Sequence, residues 1–165
     1  KNSVVSAYKD NVAFIDGPIV QQFAPEKSEV QSNYKPSVFK SIISLKAETH
    51  NFPTTVEPFS GAATGSGGEI RDRMAGGQGS IPLAGTAVYM TPYPRFDDAC
   101  YGFKAREWLY QTPKEILVKA SNGASDFGNK FGQPLISGSL FTFEHKENGK
   151  LWGYDKVIML SLIHI

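Results

Sequence analysis

Residues 46–73 read KAETHNFPTTVEPFSGAATGSGGEIRDR, and the fold turns on how this stretch is read. Just upstream, SIISLKAETH (residues 41–50) alternates with period 2. Alternation puts Ile43, Leu45 and Ala47 on one face of a strand and Ile42, Ser44, Lys46, Glu48 and His50 on the other. The second face starts apolar and ends in a cation, a carboxylate and an imidazole. That pattern suits a strand whose C-terminal end opens into a site, the usual ligand position in α/β sheets. The alternative is a half-exposed strand with a solvated polar face. A Pro-bounded turn, Phe52 to Pro58, follows.

The glycines come next. Of 16 in the chain, eight lie between Gly61 and Gly85, a density that marks sharp turns or close approach to the backbone. The segment is neither a Walker A loop, which needs Gly-Lys-Ser/Thr, nor a dinucleotide fingerprint, which needs a third glycine at a fixed offset. Read as a helix over Ala62–Ala75, it puts Gly65, Gly68 and Asp72 on one face and Ala63, Ile70 and Met74 on the other. Interior glycines cost about 1 kcal/mol each relative to alanine, so something must lie against them. A ligand on bare backbone, with Asp72 holding Mg²⁺, is one possibility; tight helix–helix packing is the other.

ETHN-x-P followed by GAATGSGGEIRD resembles the signature of phosphoribosylformylglycinamidine synthase, a glutamine-dependent amidotransferase of purine biosynthesis. The resemblance continues through Pro82–Thr86, through SNGASDFGNKFGQP (Ser121–Pro134) and up to Asp155–Leu160. It thus covers nearly the whole chain and matches one internal part of the large-type enzyme. It implies an α/β fold of the PurM-like (aminoimidazole ribonucleotide synthetase-like) N-terminal domain type, a mixed sheet with helices on one side, over residues 1–160.

It also implies ATP and Mg²⁺ as cofactors and formylglycinamide ribonucleotide as substrate. ATP phosphorylates the amide oxygen, and ammonia from glutamine then displaces phosphate. In this family's terms, Gly61, Ala62, Ala63, Thr64, Gly65, Ser66, Gly67, Gly68, Glu69, Ile70, Arg71 and Asp72 form the nucleotide-binding segment. Glu48 and Asp72 are the metal carboxylates, Lys46 meets phosphate and His50 lines the site. Ser137, Gly138 and Ser139 make a further nucleotide contact. The family often has an aromatic where Ser139 stands, so only the backbone contact carries over there.

Two departures accompany the resemblance. The family's upstream histidine segment, the glutaminase domain and the second synthase half do not match any part of this chain, so their roles as partners are expected to lie elsewhere in a longer protein. Beyond Leu160 the family pattern gives way to Ser161–Ile165, an atypical tail that suggests a truncated or artefactual end and gives His164 no role. The resulting expectation is no synthase turnover by the chain alone, and self-association through a bare sheet edge or face and the apolar tail Val157–Ile165. The runner-up readings are another ATP-using member of the superfamily, such as aminoimidazole ribonucleotide synthetase or selenophosphate synthetase, and a non-catalytic nucleotide-binding module.

Composition narrows the classes. The chain has 165 residues, 41% hydrophobic and 20% charged, with a net charge of +1. It is long enough for one domain with a core. Without a basic run, it points to neither nucleic acid nor membrane as partner. The single cysteine, Cys100, reads as a free thiol of a reducing cytoplasm.

Along the chain, residues 1–10 read as the tail of something upstream. Asn11–Gly17 reads as a short strand and Ile19–Pro36 as a loop. Gly76–Gly79 should end the glycine helix, and Ala84–Thr91 should be a strand beside Ile42–Glu48. Pro92–Ala105 reads as a surface excursion anchored by Trp108 and Tyr110. Thr112-Pro113-Lys114-Glu115 is a capping-box helix start, with Ile116, Ala120, Gly123 and Phe127 on its inner face. Asp126 on the outer face is open to substrate contact or to solvent. Phe131-Gly132 stops this helix, Leu135–Glu144 is a strand, His145–Gly149 a charged turn and Gly153–Leu160 a last strand.

Overall fold

The computed structural model describes residues 3–27, 29–75, 80–94, 111–154 and 156–164. Expectations for Gly76–Gly79, Cys100, the excursion beyond Pro94, Trp108 and Tyr110 lie outside these residues, as does the His164 side chain. The chain divides into two compact units, Lys1–Leu45 and Lys46–Ile165.

The first unit is a β-ribbon. β1 (Val4–Ser6) pairs antiparallel with β2 (Val12–Pro25), and β2 neighbours β3 (Tyr34–Thr49). The turn between β2 and β3 is closed by the Glu26 N–H on the Asn33 carbonyl, and the Ser41 hydroxyl donates to the Pro18 carbonyl at 2.7 Å. Ion pairs Lys35–Glu26 and Lys40–Asp16, each 2.6 Å, and a Phe23–Tyr34 ring contact run along it. The loop expected over Ile19–Pro36 is therefore corrected to a hairpin. Most of its residues are exposed, so no hydrophobic alternation marks them. Gly17 allows the close approach, because a Cβ there would meet the Ser41 backbone at 3.0 Å.

The second unit begins with the end of β3, Lys46–Thr49. Its sheet has the order β3-β8-β4-β5, where β4 is Ala84–Thr91, β5 is Leu135–Thr142 and β8 is Ile158–His164. β4 is antiparallel to β8 and parallel to β5, so the sheet is mixed. β4 has the bounds the sequence indicated, but its neighbour is β8 rather than β3. A strand from the far end of the chain is inserted between them, which local patterning does not encode. The strand expected at Gly153–Leu160 splits into β7 (Lys150–Gly153) and β8. β6 (Glu144–Glu147) and β7 form a separate hairpin, turned by Asn148 and Gly149 at positive φ.

The helices lie on one face of this sheet. The Pro-bounded turn is a short helix, α1 (Phe52–Val56), leading into α2 (Pro58–Ala75). α3 (Pro113–Lys130) starts at the expected capping box: the Thr112 side chain accepts from the Glu115 N–H, and the Glu115 carboxylate accepts from the Thr112 N–H. Ala62 of α2, Ile116, Ala120 and Ala124 of α3, Ala87 and Tyr89 of β4, and Val157 and Met159 form the core. Small residues let α2 and α3 close on each other. A Cβ at Gly123 would collide with the Phe59 carbonyl, and one at Gly67 would stand 2.7 Å from the Phe127 ring. The tail expected to be exposed from Val157 is corrected: Val157, Met159 and Ser161 are buried. Among the described residues no helix is long and apolar enough to cross a membrane.

Candidate functional site

From Lys46 onward the polar face of β3 lies against α2 and is only partly open to solvent. Lys46 is 1% exposed, its stem sealed beneath the helix while its ammonium reaches two carboxylates. It pairs with Asp72 from the last turn of α2 and, at 3.1 Å, with Glu48 two residues along its own strand. Those carboxylates keep side-chain exposures of 53% and 41%, so the charged cluster opens to solvent above a buried cation. Burial alone would pull the Lys46 ammonium down. Hydrogen bonds to Asp72 and Glu48 more than offset this and leave it above its ordinary range. The same bond from Lys46 holds the Asp72 carboxyl below its usual value. His50, next on this face, is pushed down by burial against the opposing pull of Glu48, which favours a neutral imidazole near pH 7.

Two carboxylates with open faces suit Mg²⁺, which takes one or two from a protein and completes its shell with water and phosphate oxygens. Among the described residues there is no group of three or more His, Cys, Asp or Glu that could hold a metal by itself. Glu48 and Asp72 thus fit a metal brought in with phosphate, not a closed protein cage.

The glycine helix has a packed side and an open side. Gly61, Ala62, Gly65, Ser66, Gly67, Glu69 and Ile70 are buried, so their side chains, or the lack of them, serve packing within the fold. A Cβ at Gly65 would stand 2.8 Å from the His50 Cβ, and one at Gly61 would meet the Pro53 carbonyl at 2.6 Å. The surface that reaches solvent consists of Ala63, Thr64, Gly68, Arg71 and Asp72. Ile70, expected to share a face with Ala63 and Met74, is 1% exposed while Met74 is 47% exposed.

Glu69 is the least expected of these. It is fully buried, its carboxylate accepting from the Glu48 N–H at 3.1 Å and from the Ser161 hydroxyl. Burial pushes its carboxyl up to about 8, against the lowering effect of those two bonds. A glutamate in a helix beside Arg71 and Asp72 reads as exposed, and no local signal gives it away.

Ser137, Gly138 and Ser139 lie elsewhere. They are on β5, with β8 and β4 between them and β3, about 14 Å away at normal strand spacing. They are not brought to the Lys46 cluster. Gly138 and Ser139 instead wall a groove of about 440 Å³ with Ser121 and Asn122 of α3. Asp126 pairs with Lys130 at 2.6 Å on the solvent side. A second groove, about 410 Å³, is walled by His50, Pro53, Glu57, Ser60 and Thr64 and adjoins the charged cluster through His50.

Polar residues of the motif also have a task that sequence reading missed. The His50 N–H donates to the Met159 carbonyl at 3.1 Å, and the Asn51 side-chain carbonyl accepts from the Met159 N–H at 3.0 Å. The Thr55 hydroxyl oxygen accepts from the Val157 N–H at 3.2 Å, and Thr54 donates to the His50 carbonyl.

No family model matches the chain. Among solved structures it is similar to T. maritima PurL complexed with FGAR, at 26% identity and a TM-score of 0.47, over 74% of this chain and 15% of that one. That protein is also solved with ADP and with ATP. Likeness extends to tt0281 from Thermus thermophilus, at 15% identity and a TM-score of 0.49, over 74% and 32% of the two chains. It extends too to thiamine monophosphate kinase from Aquifex aeolicus, at 11% identity and a TM-score of 0.46, over 74% and 34%. The chain spans about a third or less of the length of each.

Proposed function

We propose that this chain is the part of an ATP-dependent phosphoribosylformylglycinamidine synthase that holds nucleotide phosphates and metal. The observation that carries the reading is the Lys46–Glu48–Asp72 cluster, a buried ammonium between two solvent-open carboxylates, at the end of a strand and beside His50. An amide oxygen is a poor leaving group until it bears phosphate, so phosphoryl transfer from ATP must precede attack by ammonia. That transfer is catalysed mainly by positioning and by neutralising charge.

Glu48 and Asp72 are the residues that would hold Mg²⁺, which supplies charge neutralisation at the phosphates. Lys46 supplies a fixed cation from below, and its ties to both carboxylates keep it protonated. Thr64, Gly68 and Arg71 present the open face of α2 to the nucleotide. His50, in the wall of the 410 Å³ groove, would line the place where the ribonucleotide amide lies. The partner half of the synthase would cover the apolar ribbon of the first unit, where Ile19, Phe23 and Val38 are more than half exposed.

The test is ADP release in the longer protein, supplied with ATP, Mg²⁺, formylglycinamide ribonucleotide and ammonium. Ribonucleotide-dependent turnover, reduced on the order of 100-fold or more by Lys46→Met, is the expected result. ADP release that ignores this ribonucleotide but follows another phosphate acceptor would replace the reading with a different ATP-using activity.

A further inference from the structure

We propose that Asn51 is a positioning residue that fixes where the chain leaves the sheet, and thereby the placement of Glu48 and His50 against α2. The proposal rests on the reading above for its catalytic part and on hydrogen bonding alone for its structural part. Asn is among the preferred helix N-caps, and Asn51 stands at the N-cap of α1. Its side chain nevertheless makes no capping bond. It reaches across to β8 and accepts from the Met159 N–H.

β3 ends at Thr49, yet β8 continues past it with backbone N–H groups that need acceptors. Met159 of β8 and Val157 just before it are met by side chains rather than by strand carbonyls, Met159 by Asn51 and Val157 by Thr55. Thr55 in turn donates to the Asn51 carbonyl at 3.1 Å. The Met159 carbonyl receives the His50 N–H, so both backbone groups of Met159 are fixed by consecutive residues, 50 and 51. His50 is clasped at its N–H by Met159, at its carbonyl by Thr54, and at its Cβ by the bare backbone of Gly65. Glu48, two residues earlier, is held at its N–H by Glu69. Asn51 is thus the first side chain to carry on a ladder that β3 abandons. It lets the chain turn into α1 without releasing the strand end.

The experiment uses Asn51→Leu, which removes the acceptor, and Asn51→Asp, which keeps it, in the full-length protein. Amide hydrogen exchange at Met159 is read beside steady-state kinetics. Leu should speed exchange at Met159 while β4 and β5 stay protected, and should lower kcat about 10–100-fold, the range for residues that orient others at a site, with nucleotide KM little changed. Asp should restore both. Wild-type exchange and kcat in the Leu variant would overturn the proposal. Should the Leu variant not fold, the Asp variant decides: a folded Asp variant with wild-type kcat and Met159 protection supports it, and one that loses either overturns it. If the wild type shows no ribonucleotide-dependent turnover, the reading of function fails while exchange at Met159 still tests the ladder.

Discussion

The segment Asn51–Thr55 and helix α2 are neighbours made of similar small and polar residues, and they work in opposite ways. In the first, side chains extend to replace missing backbone acceptors, as Asn51 does for Met159 and Thr55 for Val157. In the second, side chains are left out so that backbone and rings can approach, as at Gly61, Gly65 and Gly67. Thr54 and Thr55 of the first and Gly61, Gly65 and Gly67 of the second are buried, while Asn51 on one and Thr64, Arg71 and Asp72 on the other reach solvent. The comparison shows that a dense motif divides its residues between building a site and forming its surface, with most of them in the first group.

The comparison can be strained most severely at Gly123, the α3 counterpart of the α2 glycines. Gly123→Val drives a side chain into the Phe59 backbone, which cannot yield without separating the helices. A loss of about 3 kcal/mol or more is expected, read as a fall in thermal midpoint; a small change would mean that the two helices separate cheaply.

Glu69 gives the next largest effect, through pH. Its carboxyl lies at about 8 in the fold because of burial, against an ordinary 4.5. Between those values the unfolded chain releases the proton while the folded chain keeps it. The contribution is therefore complete below about pH 4.5, falls as pH rises to about 8 and is level above that. Its total is on the order of a few kcal/mol. Chemical denaturation across this range should show the decline, and Glu69→Gln should flatten it.

A smaller loss is expected where a side chain completes the ladder. Thr55→Val keeps the shape but leaves the buried Val157 N–H without its acceptor, costing about 1–3 kcal/mol. Denaturant midpoints measure it, and a neutral outcome would argue that the side-chain ladder is incidental. The least effect, opposite in sign, belongs to Gly68. The nearest atom to a Cβ there is the Arg71 guanidinium at 3.9 Å, so Gly68→Ala should stabilise α2 by about 0.5–1 kcal/mol. A raised nucleotide KM in this more stable variant would place ligand on the open rim, whereas an unchanged KM would leave that glycine without a functional reason.

Elements governed by local chemistry were legible in the sequence. The Thr112–Glu115 box starts α3 where its side chains satisfy free N–H groups, and β4 keeps the bounds set by its β-prone run. Strand alternation put Lys46 and Glu48 on one face, while the resemblance was what joined Asp72 to them; the structure brings the three together. What stayed hidden depends on partners distant in sequence. β8 separates β3 from β4, the β2–β3 hairpin is wetted on both faces, and Glu69 is neutralised by burial that no neighbour in sequence announces. Ser137–Ser139 entered as a further nucleotide contact through the resemblance alone, and local sequence did not reveal that β8 and β4 stand between them and β3.

The position of β8 also orders events during synthesis. Its partners are made early, the end of β3 more than a hundred residues before it, since Asn51 and Met159 are 108 positions apart. β4 and β5 can join as soon as α3 has crossed between them. The gap between β3 and β4 remains until residues 158–164 leave the ribosome, and such distant closure is slow. A nascent chain stalled before Val157 therefore carries two unpaired strand edges that can capture other chains. Until β8 arrives, the slot it fills is an open invitation to any extended segment that reaches it first.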